Sequence, residues 1–286
     1  MEKTGIPRTD LASEAHRLAQ NGRTDLSPLP GVEAREERRY GCSLFHVNVL
    51  DERGAAALGK PVGRYCTLET EALPPRGDPC FPSLLDTLAG LIREMLGGAS
   101  GAALVVGLGN AEITPDALGP RAVRQVFPTA HLRRSGHALF ENAAEVTVCA
   151  PGVLATSGIE SARQVQALCR EIRPARVIVI DALAGAESGR LCRSVQLADS
   201  GIAPGSGVGN DREALSRETL GVPVLALGVP TVVDAACFGD ERFRGCFVTP
   251  RSIDEAVRRA ARLLGYAVDL ALHPGLTLDD LTALLE

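Results

Sequence analysis

Four short runs set what this chain can fold into: residues 102–107, 146–149, 177–180 and 222–227 are continuously apolar rather than alternating. Strands covered on both faces of a parallel sheet read this way, whereas a strand with one wet face alternates. Helix-like stretches lie between the runs. Residues 120–126 carry Pro120 near a first turn, and residues 159–172 are entered through Thr156 and Ser157 as caps. The order β, α, β, α, β predicts an α/β fold: a doubly wound, mostly parallel sheet flanked by helices, with right-handed crossovers.

Upstream, residues 32–38, 43–50 and 65–69 have strand-like patterns separated by Gly41, Gly54 and Gly63, which predicts a small antiparallel β appendage at about 31–72. A Pro/Gly-rich connector, 73–82, leads into an apolar helix over 83–95. Residues 254–264 and 278–285 repeat apolar positions at helical spacing and are expected to cover the sheet. No internal repeat is visible, and residues 11–286 are read as a single α/β domain that includes the appendage.

Charge narrows the partners. Thirty Lys and Arg face 35 Asp and Glu, a net charge of -5, which is the wrong sign for holding phosphate backbones, so no direct nucleic acid ligand is expected. Aromatics make up 3% of the chain, with no Trp, which disfavours base-stacking platforms and a membrane-interface belt. The first twenty residues lack a signal-peptide core, and no uncharged apolar run reaches the roughly 18 residues of a membrane span, so a cytoplasmic protein is expected. None of the eight cysteines forms a C-x-x-C pair, and reduced, packed thiols are the expectation.

Two glycine phrases invite a dinucleotide reading and fail it. Gly107-Leu108-Gly109-Asn110 meets Glu112 where the third glycine belongs, and Gly207-Val208-Gly209-Asn210 meets Arg212. No P-loop, H-E-x-x-H or G-x-S-x-G signature occurs. Of five scattered histidines, His131 lies nearest the first βα unit, with a surface or packed role the stronger prior.

What remains is a carboxylate pair placed where open α/β sheets bind ligands, beyond the carboxyl ends of strands. Asp181 follows the run 177–180, and Asp116 lies in the loop after the first run and before a helix. If those strands are neighbours, about 4.8 Å apart, the carboxylates approach closely enough for like-charge repulsion to raise one pKa, giving one acid and one base. Spacing alone leaves a blander reading ahead, since an Asp in a Pro turn commonly caps a helix and one at a strand end ties down a loop.

The surrounding phrases shift that balance. Leu104-Val105-Val106-Gly107-Leu108-Gly109-Asn110 with Thr114-Pro115-Asp116-Ala117-Leu118-Gly119-Pro120 resembles the first βα unit of the bacterial spore germination proteases. The resemblance continues in Ala150-Pro151-Gly152-Val153, Ile180-Asp181-Ala182-Leu183-Ala184, Asp199-Ser200-Gly201-Ile202, Pro204-Gly205-Ser206-Gly207-Val208-Gly209-Asn210 and Gly228-Val229-Pro230-Thr231. It implies an atypical aspartic endopeptidase with Asp116 and Asp181 as the catalytic pair and no cofactor or metal. It also implies small acid-soluble spore proteins as substrates, a spore-core location and a homotetramer. Asn110, Asp199 and Ser200 fall in matched motifs near strand ends and are second candidates for orienting the pair or the substrate. The first phrase is also similar to hydrogenase maturation endopeptidases, which bind a transition metal. Relative to the germination proteases the chain reads as short at its C-terminal end, which bears on tail contacts and assembly rather than on the aspartates.

The segment Arg8-Thr9-Asp10-Leu11-Ala12-Ser13-Glu14-Ala15 resembles the family's self-processing site. That implies a propeptide of residues 1–10 and cleavage between Asp10 and Leu11. The same residues read as an ordinary helix start capped by Asp10, and a helix there would keep the uncut chain silent. Bringing Asp10 up to Asp116 and Asp181 crowds three carboxylates together, so self-cleavage is expected to be favoured by acid. Two alternatives stay open: a metal-dependent maturation-type endopeptidase, which needs a histidine beside the acidic pair, and a catalytically idle regulatory relative.

Overall fold

The computed structural model describes residues 9–21, 28–39, 41–98, 101–135, 143–209 and 212–285. Most of the expected propeptide, residues 1–8, lies outside them, as do Arg8 and Asn210 of the quoted motifs.

The chain opens with helix α1 (Ala12–Asn21), followed by strands β1 (Val32–Arg39) and β2 (Cys42–Val49), helix α2 (Glu52–Leu58) and strand β3 (Gly63–Glu69). Helix α3 (Phe81–Leu96) leads into β4 (Ala103–Gly107), then α4 (Leu118–Val123), α5 (Ala130–Arg134) and β5 (Val146–Cys149). After α6 (Leu154–Ser157) and α7 (Ser161–Ile172) come β6 (Arg176–Gly185), β7 (Ser194–Ala198), α8 (Arg217–Leu220), β8 (Val224–Asp234) and β9 (Phe247–Val248). The described chain ends in α9 (Ile253–Leu272) and α10 (Leu278–Leu285).

The strands form one sheet in the order β1-β2-β3-β7-β8-β6-β4-β5, with β9 paired to β8. From β8 to β5 neighbouring strands run parallel, and these are the four apolar runs of the sequence. From β1 to β8 they run antiparallel, so the upstream hairpin continues the main sheet through β7. The α/β class with a small antiparallel extension is therefore as expected. Ser194–Ala198 alternates small, apolar and polar residues, and no strand was expected there.

Local signals fix the helix ends. Asp51 caps α2 by accepting from the N–H groups of Arg53 and Gly54, both at 3.0 Å. Pro82 starts α3, where its missing N–H costs nothing, and Gly97 ends it in the left-handed region. The helix expected over 159–172 is α7, which starts at Ser161, and the short α6 before it ends at Gly158 with φ 71°.

Helices α3, α4 and α9 pack on one face of the sheet over a large apolar core that includes Leu88, Ile92, Ile178, Leu227 and Leu264. Fully burying one such side chain contributes about 1.5–3 kcal/mol. On the other face α7 covers Leu104, Val106, Val177 and Val179, while α1 lies against α2 and strands β2 and β3. Between those two covers the sheet is open, and the acidic residues converge there. No helix among the described residues is long and apolar enough to cross a membrane.

Candidate active site

Asp116 is delivered by the loop after β4. Thr114–Asp116 forms a 3-10 turn whose Thr114 hydroxyl donates to Asp254 at 3.1 Å, tying the turn to the first residues of α9. The Asn110 N–H donates to Asp116 Oδ2 at 2.7 Å and aims the carboxylate. Helix α4 then presses on the sheet at Gly119: a Cβ there would lie 2.2 Å from Leu108 O and 2.4 Å from Ile180 O. Only glycine permits that approach, which brings the Asp116 loop against the residue preceding Asp181.

Strand β6 runs to Gly185, so Asp181 sits in mid-strand and not at the strand's end as its sequence position suggested. Neighbouring β4 stops earlier, with Gly107 paired to Ile180, and Asp181 is the first β6 residue beyond that pairing. The crevice at the carboxyl end of β4 is where the chain's crossovers change direction, to β5 through α4 on one face and back to β6 through α7 on the other. The two strands are neighbours, as the carboxylate-pair argument required.

Asp181 is buried and accepts the Ala182 N–H at 2.9 Å. Burial, then the charge of Asp116, then that of Asp10 hold its carboxyl well above the ordinary range. Asp116 is raised too, by burial, but the Asn110 N–H and the Arg212 guanidinium work in the opposite direction. A carboxylate pair in unequal surroundings can hold one proton and activate a water molecule. The pair lines a cleft of about 460 Å³ together with Asp10, Arg212, Thr231 and Phe247.

The N-terminal segment borders this cleft at Asp10. Asp10 donates its N–H to Ala184 O at 2.8 Å, and its carboxylate accepts from Ala184 N–H and the Ser206 hydroxyl, both at 2.8 Å. The Gln196 side chain donates to Asp10 O at 2.8 Å and accepts the Ala12 N–H at 2.6 Å, bracketing Leu11. Lys60 Nζ donates to Thr9 O at 2.8 Å. Burial lowers the Lys60 pKa, against the pull of Asp10 and Glu14. Leu11 is fully buried.

Glu14, also fully buried, accepts from Ala186 N–H at 2.6 Å, Glu187 N–H at 3.1 Å and the Thr9 hydroxyl. Arg190 stands 3.8 Å from Glu14 and donates to the Ser13 hydroxyl at 3.1 Å and to Glu69. Asp10 does not cap α1, as its position before Leu11-Ala12-Ser13-Glu14 had suggested, because its carboxylate is engaged by Ser206 and Ala184. The helix begins at Ala12, and the Asp10–Leu11 bond precedes it.

Of the second candidates, Asn110 acts on Asp116 through its backbone. Asp199 pairs with Arg64 at 2.7 Å, and Ser200 donates to the Tyr65 hydroxyl at 2.8 Å; neither lines the cleft. His131 is exposed on α5, away from the aspartates. Among the described residues no three His, Cys, Asp or Glu side chains are grouped to hold a metal ion.

Sequence reasoning missed Gln196, Lys60, Ser206 and Arg190. Ser206 lies in the phrase 204–210 read as part of the family resemblance, and the failed dinucleotide fingerprint that begins at Gly207 serves another purpose. A Cβ on Gly207 would lie 2.3 Å from Asp10 Oδ2, so the phrase is shaped around a carboxylate.

Comparison with known proteins identifies relatives of the chain. The family profile described as germination protease matches residues 9–244. The germination protease of Caldanaerobacter subterraneus subsp. tengcongensis is 36% identical, the match covering 98% of each chain. That of Clostridium tetani is 34% identical, covering 98% of this chain and 99% of its own. That of Geobacillus sp. is 41% identical over 80% of this chain and 64% of its own. Among solved structures, the [NiFe] hydrogenase maturation protease HycI of Thermococcus kodakarensis is similar over 62% of this chain and 98% of its own, at 17% identity and a TM-score of 0.37.

Proposed function

The chain belongs to the germination protease family, and from that premise we propose that it is a self-processing endopeptidase zymogen whose aspartates Asp116 and Asp181 activate water. The observation that carries this reading is that Asp10, the residue before the bond, lines the cleft that holds both aspartates, with its charge acting on Asp181. The intact N-terminal segment borders the cleft at Asp10 and holds the bonds at Ala184 and Ser206 that another chain would need. Its removal at Asp10–Leu11 is the activating step.

The unequal surroundings of the aspartates divide their roles. Asp181, deeper and pushed higher, keeps the shared proton, while Asp116, offset by the Asn110 N–H and Arg212, is the base that takes a proton from water. Acid favours processing because a proton on Asp181 relieves the crowding of three carboxylates. The substrates in this reading are small acid-soluble spore proteins in the spore core, cut before a large apolar residue that follows an acidic one. The Asp10 seat at Ser206 and Ala184 and the Glu14 seat at Ala186, Glu187 and Arg190 support that preference. Assembly as a cytoplasmic homotetramer belongs to the same reading and rests on the family resemblance alone.

The test uses the self-processed chain and a peptide carrying Thr-Asp-Leu-Ala-Ser-Glu-Ala. Cleavage between Asp and Leu, insensitive to chelator, is expected. Loss of cleavage on chelation supports a metal-dependent enzyme instead, and no cleavage of any Asp-Leu peptide supports an idle relative.

A further inference from the structure

We propose that Gln196 is a catalytic residue of this site: its side-chain amide binds the carbonyl oxygen of the peptide bond to be cut and steadies the negative charge that develops there. The inference rests on the processing reading above and adds the group that holds the carbonyl of the bond to be cut.

The geometry begins in the sheet. Gln196 on β7 pairs with Gly228 on β8, and Gly228 pairs with Asp181 on β6. Directly paired residues of adjacent strands point to the same face, so Gln196 and Asp181 stand two strand spacings apart, about 10 Å. Gly228 between them contributes no side chain. The Leu183 side chain of β6 lies over Gly228, 2.5 Å from where a Cβ would stand, and residues 10–12 are held to β6 through Ala184 and to β7 through Gln196.

Gln196 is buried, and a buried primary amide needs partners at both ends. Both bonds given to it go to the docked segment. Nε2 donates to Asp10 O at 2.8 Å, and Oε1 accepts the Ala12 N–H at 2.6 Å. One bond holds the Asp10–Leu11 peptide group and the other the Leu11–Ala12 group, so together they clamp the backbone on either side of Leu11. A tether alone has no need to grip the carbonyl of the one bond at issue.

In the reaction, water adds to the Asp10 carbonyl carbon as Asp116 takes its proton. The C=O π pair moves onto oxygen, and that oxyanion lies on the Gln196 N–H. When the C=O re-forms, the C–N bond breaks and the Leu11 nitrogen takes the proton held by Asp181. One water is consumed, leaving a carboxyl on Asp10 and an amine on Leu11. A donor aimed at the oxygen where charge develops contributes more to the transition state than to the ground state.

The test is single-turnover self-processing of the full chain, where the substrate is already docked and the first-order rate reports chemistry. Wild type, Gln196→Met, Gln196→Glu and Asp181→Asn are followed by intact mass, with melting curves to check folding. Gln196→Glu keeps the acceptor for Ala12 but loses the donor, and serves if the Met variant fails to fold. A fall of about 10²- to 10³-fold in the folded Gln196 variants is expected. In the processed enzyme acting on the heptapeptide, kcat should fall more than KM rises. Wild-type rates in a folded Gln196 variant, or an effect confined to KM, overturn the assignment while leaving the aspartates in place. Failure of wild type to cut at Asp10–Leu11, or normal cutting by Asp181→Asn, overturns the underlying reading instead.

Discussion

Asp10 and Ala184 are bonded to each other in both directions: the Asp10 N–H donates to Ala184 O and the Ala184 N–H donates to Asp10 Oδ2, each at 2.8 Å. This exchange fastens the residue before the Leu11 bond to the strand that carries Asp181. It also leaves little room around the carboxylate, since a Cβ on Gly207 would meet Asp10 Oδ2 at 2.3 Å and Ala184 Cβ at 2.7 Å. Gly207→Ala should therefore displace Asp10 and press on β6 at Ala184. An ångström of misplacement in a reacting group costs about 10²-fold in rate, so self-processing should slow to that degree, and the melting temperature should fall. Intact-mass time courses beside thermal melts check both halves.

Asp181→Asn should abolish processing and stabilise the protein at neutral pH. The folded carboxyl is held above its unfolded value, so its contribution is fully favourable below the unfolded pKa, near 3.8, and is lost as pH rises through the folded value. Removing the titration removes that loss. The variant should exceed wild type in stability near pH 7 and match it in strong acid, as read from denaturant melts across pH.

Asp269 offers a control far from the cleft. Buried on α9 and bonded to the Phe127 N–H, it is pushed up to about 8 by burial. By the same sign argument its stability contribution is complete below the unfolded pKa and lost as pH climbs to about 8. Asp269→Asn should flatten the pH dependence of stability over that window and leave the rate of self-processing unchanged.

Glu14→Ala should loosen the N-terminal helix. It strips the Ala186 and Glu187 N–H groups and Arg190 of a fully buried acceptor. Arg190 keeps Glu69 and Glu187, so the expected loss is about 2–3 kcal/mol and not the full cost of an orphaned buried charge. Hydrogen exchange should rise across residues 12–21, with slower processing.

How much of this was legible in the sequence depended on how local each signal was. The buried parallel strands announce themselves through uninterrupted apolar runs, and the rule that ligands sit beyond strand ends pointed at Asp116 and Asp181. Strand β6 outran the expectation because Ala182–Gly185 pair with β8 after β4 has stopped, a fact of register that no run of residues encodes. Helix α9 likewise continues through Gly265 to Leu272, because that glycine lets Gln125 and the Ala122 carbonyl pack against the helix. Gln196 and Arg190 were invisible for a stronger reason. Their partners in the N-terminal segment lie 184 and 177 residues away in Ala12 and Ser13, and only the folded sheet brings them together.

The account stands on Asp10–Leu11 being the bond that the aspartate pair cuts. Intact mass spectrometry of the purified full chain after mild acid treatment, beside Asp116→Asn and Asp181→Asn, tests it most directly. Wild type should lose residues 1–10 and begin at Leu11, faster as the pH falls, while both variants remain whole. A wild-type chain that stays whole at every pH, or variants that lose the same residues at the same rate, would contradict it.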